Sequence, residues 1–196
     1  FSYYFKVGTE GYPVFLLSGF LPWLWIMEAI TTGTSSIVSG GPYIQTSSIP
    51  SELLPVISVC SSFMNFLFSL PLLFIFAAIF KWTIGWSILL LPIILINQAL
   101  FLLGIVLLTS SYNVFFRDLG YLIGHILTSI FFLTPIFYTI ETVPVAIRPY
   151  YDYYPIALQM KHFHAVFYHG TTPDWTELLI LFLLGIVLSW LGLKDF

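Results

Sequence analysis

Charge is scarce in this sequence. Of 196 residues only 8% are charged, six Lys or Arg and nine Asp or Glu, for a net charge of −3. A soluble domain carries about 25% charged residues. Cysteine is nearly absent as well: Cys60 stands alone and excludes an intrachain disulfide. Inside an apolar run it reads as a small buried hydrophobe. No basic cluster marks a nucleic-acid partner. No G-x-x-x-x-G-K-[ST] phosphate loop is present, so the chain does not hydrolyse ATP on that model. Neither H-E-x-x-H nor G-x-S-x-G occurs. No signal peptide is visible, and no internal repeat or low-complexity segment.

Apolar and aromatic residues fill the space that charge leaves, at 59% hydrophobic and 19% aromatic. Mean hydropathy is +0.97. A protein of this size has too little interior to hide that much apolar surface from water. Lipid removes the problem. The expected fold is all-α: a polytopic transmembrane helical bundle forming one permease-type domain over 1–196. A span needs about 20 mostly apolar residues, which places spans at 13–38, 53–80, 84–110, 119–140 and 176–194. Residues 1–6 read as the tail of an earlier span; the chain opens at Phe1, in mid-pattern and without methionine, and reads as a fragment. Between the last two spans, 141–175 is the longest connector. Its apolar-aromatic segment 156–168 is too short to span and suits a re-entrant or interfacial helix.

Polar residues inside spans must face protein or water. Ser58, Ser62, Asn65 and Ser69 recur every three or four residues, on one helical face. In the first span Ser18, Trp25, Thr32 and Ser39 stand at heptad spacing, with Glu28 and Ser35 beside them. Tyr121, His125 and Ser129 share a face of the fourth span. Gly120, Gly124 and Thr128 form a small-xxx-small pattern for close helix contact on an adjoining face. These stripes either hydrogen-bond helix to helix or line a polar path. Glu28 and His125 are the ionisable groups deepest in spans and hence functional candidates. Neither has a partner of the kind a proton relay needs. His162, His164 and His169 lack acidic or thiolate support for a metal. Asp152, Asp174 and Glu177 look scattered rather than paired, and Asp174 after Pro173 reads as a helix start. Nine aromatics crowd the long connector and its flanks: Phe137, Tyr138, Tyr150, Tyr151, Tyr153, Tyr154, Phe163, Phe167 and Tyr168. They suit either an interfacial belt or the apolar faces of sugar rings.

Several stretches carry a family likeness. LLSGFLPWLWIMEAITTGTSSIVS (16–39) resembles the second span of the type-2 ATP-binding-cassette export permeases. Within that family it looks most similar to exporters of O-antigen, teichoic acid and capsule. IPSELLPVISV (49–59), NVFFRDLGYLIG (113–124), FFLTPIFYTIETVP (131–144) and PDW (173–175) agree in order, so the resemblance covers nearly the whole chain. It implies a six-span subunit, of which this chain lacks the N-terminal interfacial helix and most of span one. It implies partnership with a second copy, with two nucleotide-binding ATPase subunits that carry the ATP and magnesium, with membrane lipid, and with a lipid-linked glycan. No cofactor, metal or nucleic acid is implied for the chain itself. The location implied is the cytoplasmic (inner) membrane of a bacterium, crossed several times.

By the same resemblance the ATPase contact falls on the coupling loop 39–52, with Tyr43, Ile44, Gln45, Pro50 and Glu52, and on 112–118, with Arg117 and Asp118. From the polar stripes themselves, the candidates for a translocation path are Trp25, Glu28, Thr32, Ser58, Ser62, Asn65, Tyr121 and His125. The external gate would take Phe137, Tyr138, Tyr154, Pro155 and Phe163. Family members often carry basic residues in the coupling loop, where this chain has Gln45 and Thr46. Their external segment usually reads Asn-Pro, then an acid and an arginine, where this chain has Tyr154-Pro155, Lys161 and His164. With 39–52 placed in the cytoplasm, that side holds Arg117 and Lys194 against Lys6, Lys81, Arg148 and Lys161 opposite, contrary to the positive-inside rule. Three other readings remain open: an exporter of lipid or small molecules on the same fold, a membrane-embedded glycosyl or acyl transferase, and a structural subunit without a path.

Overall fold

The structure, a computed structural model, describes residues 11–41, 50–140, 143–151 and 153–196. The expected tail at 1–6 and most of the coupling loop, with Tyr43, Ile44 and Gln45, lie outside the described residues. The described chain is helical: α1 Tyr12–Ser39, α2 Leu53–Ile79, α3 Leu91–Phe115 with a 3-10 lead-in at Trp86–Leu90, α4 Leu119–Leu133, α5 Arg148–Tyr151, α6 Pro155–His164 running into a π turn at Ala165–His169, and α7 Trp175–Lys194. Four of these are long and apolar enough to cross a membrane: α1, α2, Trp86–Phe115 and α7. The chain is an all-α, multi-pass membrane bundle.

Proline and local caps set most helix starts. Pro13, Pro92 and Pro155 stand in the first turns of α1, α3 and α6, where a missing N–H costs nothing. Asp174 caps α7 as anticipated, its carboxylate accepting from the N–H groups of Thr176 (2.8 Å) and Glu177 (3.4 Å). One expected boundary fails. The fourth span was placed at 119–140, but α4 stops at Leu133 and is 15 residues long. Thr134 turns extended (ψ 137°) ahead of Pro135, because a residue before proline is pushed out of the helical region and proline donates no bond to continue the ladder. The third span, conversely, runs past 110 to Phe115.

α1 is the hub, packing against α2, α3, α4 and α6, while α7 leans mainly on α3. The α3–α7 pair approaches through glycines. A Cβ on Gly104 would meet the Leu188 Cβ at 2.5 Å and the Ser189 nitrogen at 2.8 Å; one on Gly192 would meet the Leu107 Cβ at 2.6 Å. Small residues of this kind let membrane helices gain dispersion contacts where lipid offers no hydrophobic drive. The pattern anticipated on α4 has no such role among the described residues: nothing of theirs lies within 4 Å of a Cβ at Gly124, and at Gly120 the nearest atom is the Asn113 side-chain oxygen at 3.6 Å. Cys60 is exposed on α2 instead of buried, since α2 meets the bundle along one side only.

Candidate functional site

Two polar regions stand out. The first is the seam between α1 and α2. Glu28 accepts a hydrogen bond from Asn65 Nδ2 at 2.5 Å, across 37 residues of sequence. Glu28 thus has a partner, which one-sequence reading did not pair with it. Thr32, Ser35 and Ser39 follow Glu28 along the exposed face of α1, and Ser61 precedes Asn65 on α2. The α1 hydroxyls donate to their own helix, Thr32 to the Glu28 carbonyl (2.6 Å) and Ser39 to that of Ser35 (2.8 Å). Donation inward leaves the oxygen lone pairs facing outward as acceptors. A carboxylate, an amide and four hydroxyls on one outer face are costly against hydrocarbon. The face therefore needs protein or water against it.

The other path candidates separate. Trp25 is buried, stacked on Phe66 with ring centres 4.9 Å apart. Ser62 is buried and bonded to the Val59 carbonyl. Trp25 holds α1 to α2, and neither residue faces outward within the chain. Ser58 is half-buried and donates to the Leu54 carbonyl. The heptad face of α1 splits, with Ser18 and Trp25 inside and Thr32 and Ser39 outside. A straight helix drifts about 20° per heptad, and the first half of α1 is also enclosed by α6, through Phe15 and Gly19 against His164. Tyr121, His125 and Ser129 share an exposed face of α4, with Ser129 donating to the His125 carbonyl.

At the end of the bundle holding the C-terminus of α1, Pro50 is exposed and Glu52 half-buried beside the start of α2. Arg117 and Asp118 are exposed in the turn between α3 and α4 and line a cleft of about 630 Å³ with Tyr112, Phe115 and Phe116. Buried Asn113 pins this turn by accepting the Gly120 N–H at 3.1 Å, a role invisible in the sequence.

The second polar region lies at the opposite end. Glu177 at the start of α7 receives Lys161 (2.5 Å) and His162 (3.2 Å) from α6. The acids there are not all scattered: Glu177 is paired and Asp174 is a cap. Burial holds His162 below the usual imidazole range, with the Glu177 carboxylate acting the other way. Burial pushes His164 down to about 3. Tyr138 bonds the Leu133 carbonyl (2.8 Å) and the Tyr151 hydroxyl (3.2 Å); burial first, then Tyr151, raises its pKa. Tyr154 is raised by burial too. Among the gate candidates, Phe137 packs on Phe131 (5.0 Å), Pro155 opens α6, and Phe163 is wholly in the core, edge-on to Phe66. Phe167 is likewise core, whereas Tyr150 and Tyr153 are exposed and Tyr168 stacks on Trp82. Among the described residues no three His, Cys, Asp or Glu are grouped to hold a metal ion.

No protein-family model matches the chain. It is 28% identical over 192 residues, 97% of its length and 74% of the relative's, to the O-antigen export system permease protein RfbA of Myxococcus xanthus. Two proteins of that name from Klebsiella pneumoniae align with the whole chain and 76% of their own length, at 28% and 27% identity. The alignments cover 97% or all of this chain, and these relatives are permeases by name. Along essentially its whole length the chain is thus similar to permeases of O-antigen export systems.

Proposed function

We propose that this chain is the membrane-spanning subunit of an ATP-driven exporter that moves a lipid-linked polysaccharide across the cytoplasmic membrane. The observation that carries the reading is the end-to-end similarity to three proteins named O-antigen export permeases. The seam of Glu28, Asn65, Thr32 and Ser35 supports it. A glycan cannot cross hydrocarbon unaided, because its hydroxyls would lose their water. Two copies facing each other would set this seam and the outer face of α4, with Tyr121 and His125, around a shared passage. Hydroxyls and amides there replace water with weak, repeated hydrogen bonds along which a polymer slides. ATP binding and hydrolysis in two partner ATPases, docked near Glu52, Arg117 and Asp118, would bias the spans between closed and open arrangements.

The test is deletion of the full gene with analysis of surface glycan, joined to affinity purification of the tagged permease. The reading predicts loss of a surface polysaccharide, its accumulation inside the cell, and recovery of a phosphate-loop ATPase with the permease. Unchanged surface glycan with no ATPase recovered would contradict it.

A further inference from the structure

The end of the bundle that carries Glu177 holds a cavity of about 740 Å³ that neither the seam nor the ATPase contact uses. Tyr138 and Tyr151 come to it from the segment after α4 and from α5, Lys161 and His162 from α6, and His169 and Thr172 from the turn leading to α7. Phe15 of α1 and Ala157 and Ala165 supply apolar wall. The volume lies within the range of small-molecule sites, about 300–1,000 Å³. We propose that this cavity docks one or two neutral sugar units, a saccharide site apart from the main passage. Used in export it would grip the leading end of the glycan, so in that use it rests on the reading above.

The lining decides the chemistry by elimination. Lys161 is engaged by Glu177, and burial keeps His162 and His164 toward the neutral form. The Asp174 carboxylate also lines the space. Among the described lining residues, a phosphate or carboxylate ligand would meet that negative charge with the Lys161 cation already paired to Glu177. A lipid tail would strip water from phenol, hydroxyl and imidazole groups and return nothing. A neutral polyhydroxylated ring satisfies both constraints. Its hydroxyls exchange hydrogen bonds with Tyr151, Thr172, His162 and His169, and its C–H face lies on aromatic wall. Thr172 and His169 are exposed at the rim, so the site opens outward.

The binding test uses the intact permease with its ATPase in lipid nanodiscs and saturation-transfer NMR. The probes are four disaccharides: maltose, lactose, chitobiose and α-mannobiose. Transfer to at least one of them is expected, at least tenfold weakened in Thr172→Trp, which fills the rim from an exposed position, and unaltered in Leu179→Trp on the exposed side of α7. No transfer to any probe, or equal transfer in Thr172→Trp, overturns the site. Benzoylphenylalanine placed at position 172 in cells separates the two sources of sugar. Glycan crosslinking that needs an active ATPase identifies the emerging polymer, and crosslinking indifferent to ATPase activity identifies glycan already outside; no glycan crosslink in either case overturns the proposal. Disaccharide binding with surface glycan unchanged on gene deletion would sustain the site while the export reading fell. Loss of surface glycan on deletion with no sugar bound would do the reverse.

Discussion

Helices α1 and α7 are both spans, yet they solve different problems. Over its most apolar stretch α1 is 61% enclosed by the rest of the chain and α7 only 22%, although α1 is the less apolar of the two. In water the ordering would be reversed. In lipid the greasier of the two can face the solvent, and the helix with a carboxylate and hydroxyls in mid-span is drawn inward. α1 therefore spends its polar residues on neighbours and on one open seam, while α7 needs little beyond a glycine track and a polar latch at one end.

The comparison breaks most sharply at that glycine track. Gly104→Leu drives a side chain into the Leu188 Cβ and the Ser189 backbone; overpacking of this kind costs about 1–3 kcal/mol or more. The expected result is a lower unfolding midpoint in detergent and reduced α3–α7 crosslinking. An unchanged midpoint would show that the two helices do not meet there.

A comparable effect comes from acid at the α6 end. The folded pKa of His164 is depressed, so the unfolded chain binds the extra proton and stability rises with pH. The stabilisation is whole above about 6.5, the ordinary imidazole value, and is lost progressively as pH falls from there toward about 3. Each unit costs about 1.4 kcal/mol. Protection of the α6 amides, taken against the intrinsic exchange rate at the same pH, is expected to fall at pH 5.5 relative to 7.5, and His164→Gln to flatten that response. Protection indifferent to pH would show that His164 titrates alike in the folded and unfolded chain.

Smaller still is Asn97, whose amide donates to the Leu178 carbonyl at 2.7 Å and ties α3 to the start of α7. Asn97→Leu is expected to lower stability by about 1 kcal/mol, since bonds between membrane helices average about 0.6 and reach about 1.7. Least of all is Leu179→Ala on the exposed side of α7, expected within about 0.5 kcal/mol of the parent; a larger loss would mean that α7 is covered by another chain.

Much of this was legible in the sequence. Apolar runs located the long spans because a bilayer imposes a length that few other solvents do, and Asp174 declared the start of α7 through its capping chemistry. The α4 end was missed because Pro135 sits inside an apolar run and composition outweighed backbone chemistry. The glycine motif at 120 and 124 reads like a packing face, while the glycines between α3 and α7, at 104, 185 and 192, lie on two helices whose adjacency no single sequence states. Glu28 and Asn65 were each singled out, but their bond joins residues 37 apart across a helix pair. Lys161, His162 and Glu177 were concealed in the same way, by a turn that reverses the chain between them.

The central claim is that the open α1–α2 seam borders the passage and the outer side of α7 does not. Polymer export by cells carrying Asn65→Trp, measured beside Leu179→Trp with permease levels and assembly matched, tests it directly. The account predicts export blocked in the first and normal in the second. Equal export from both would contradict it.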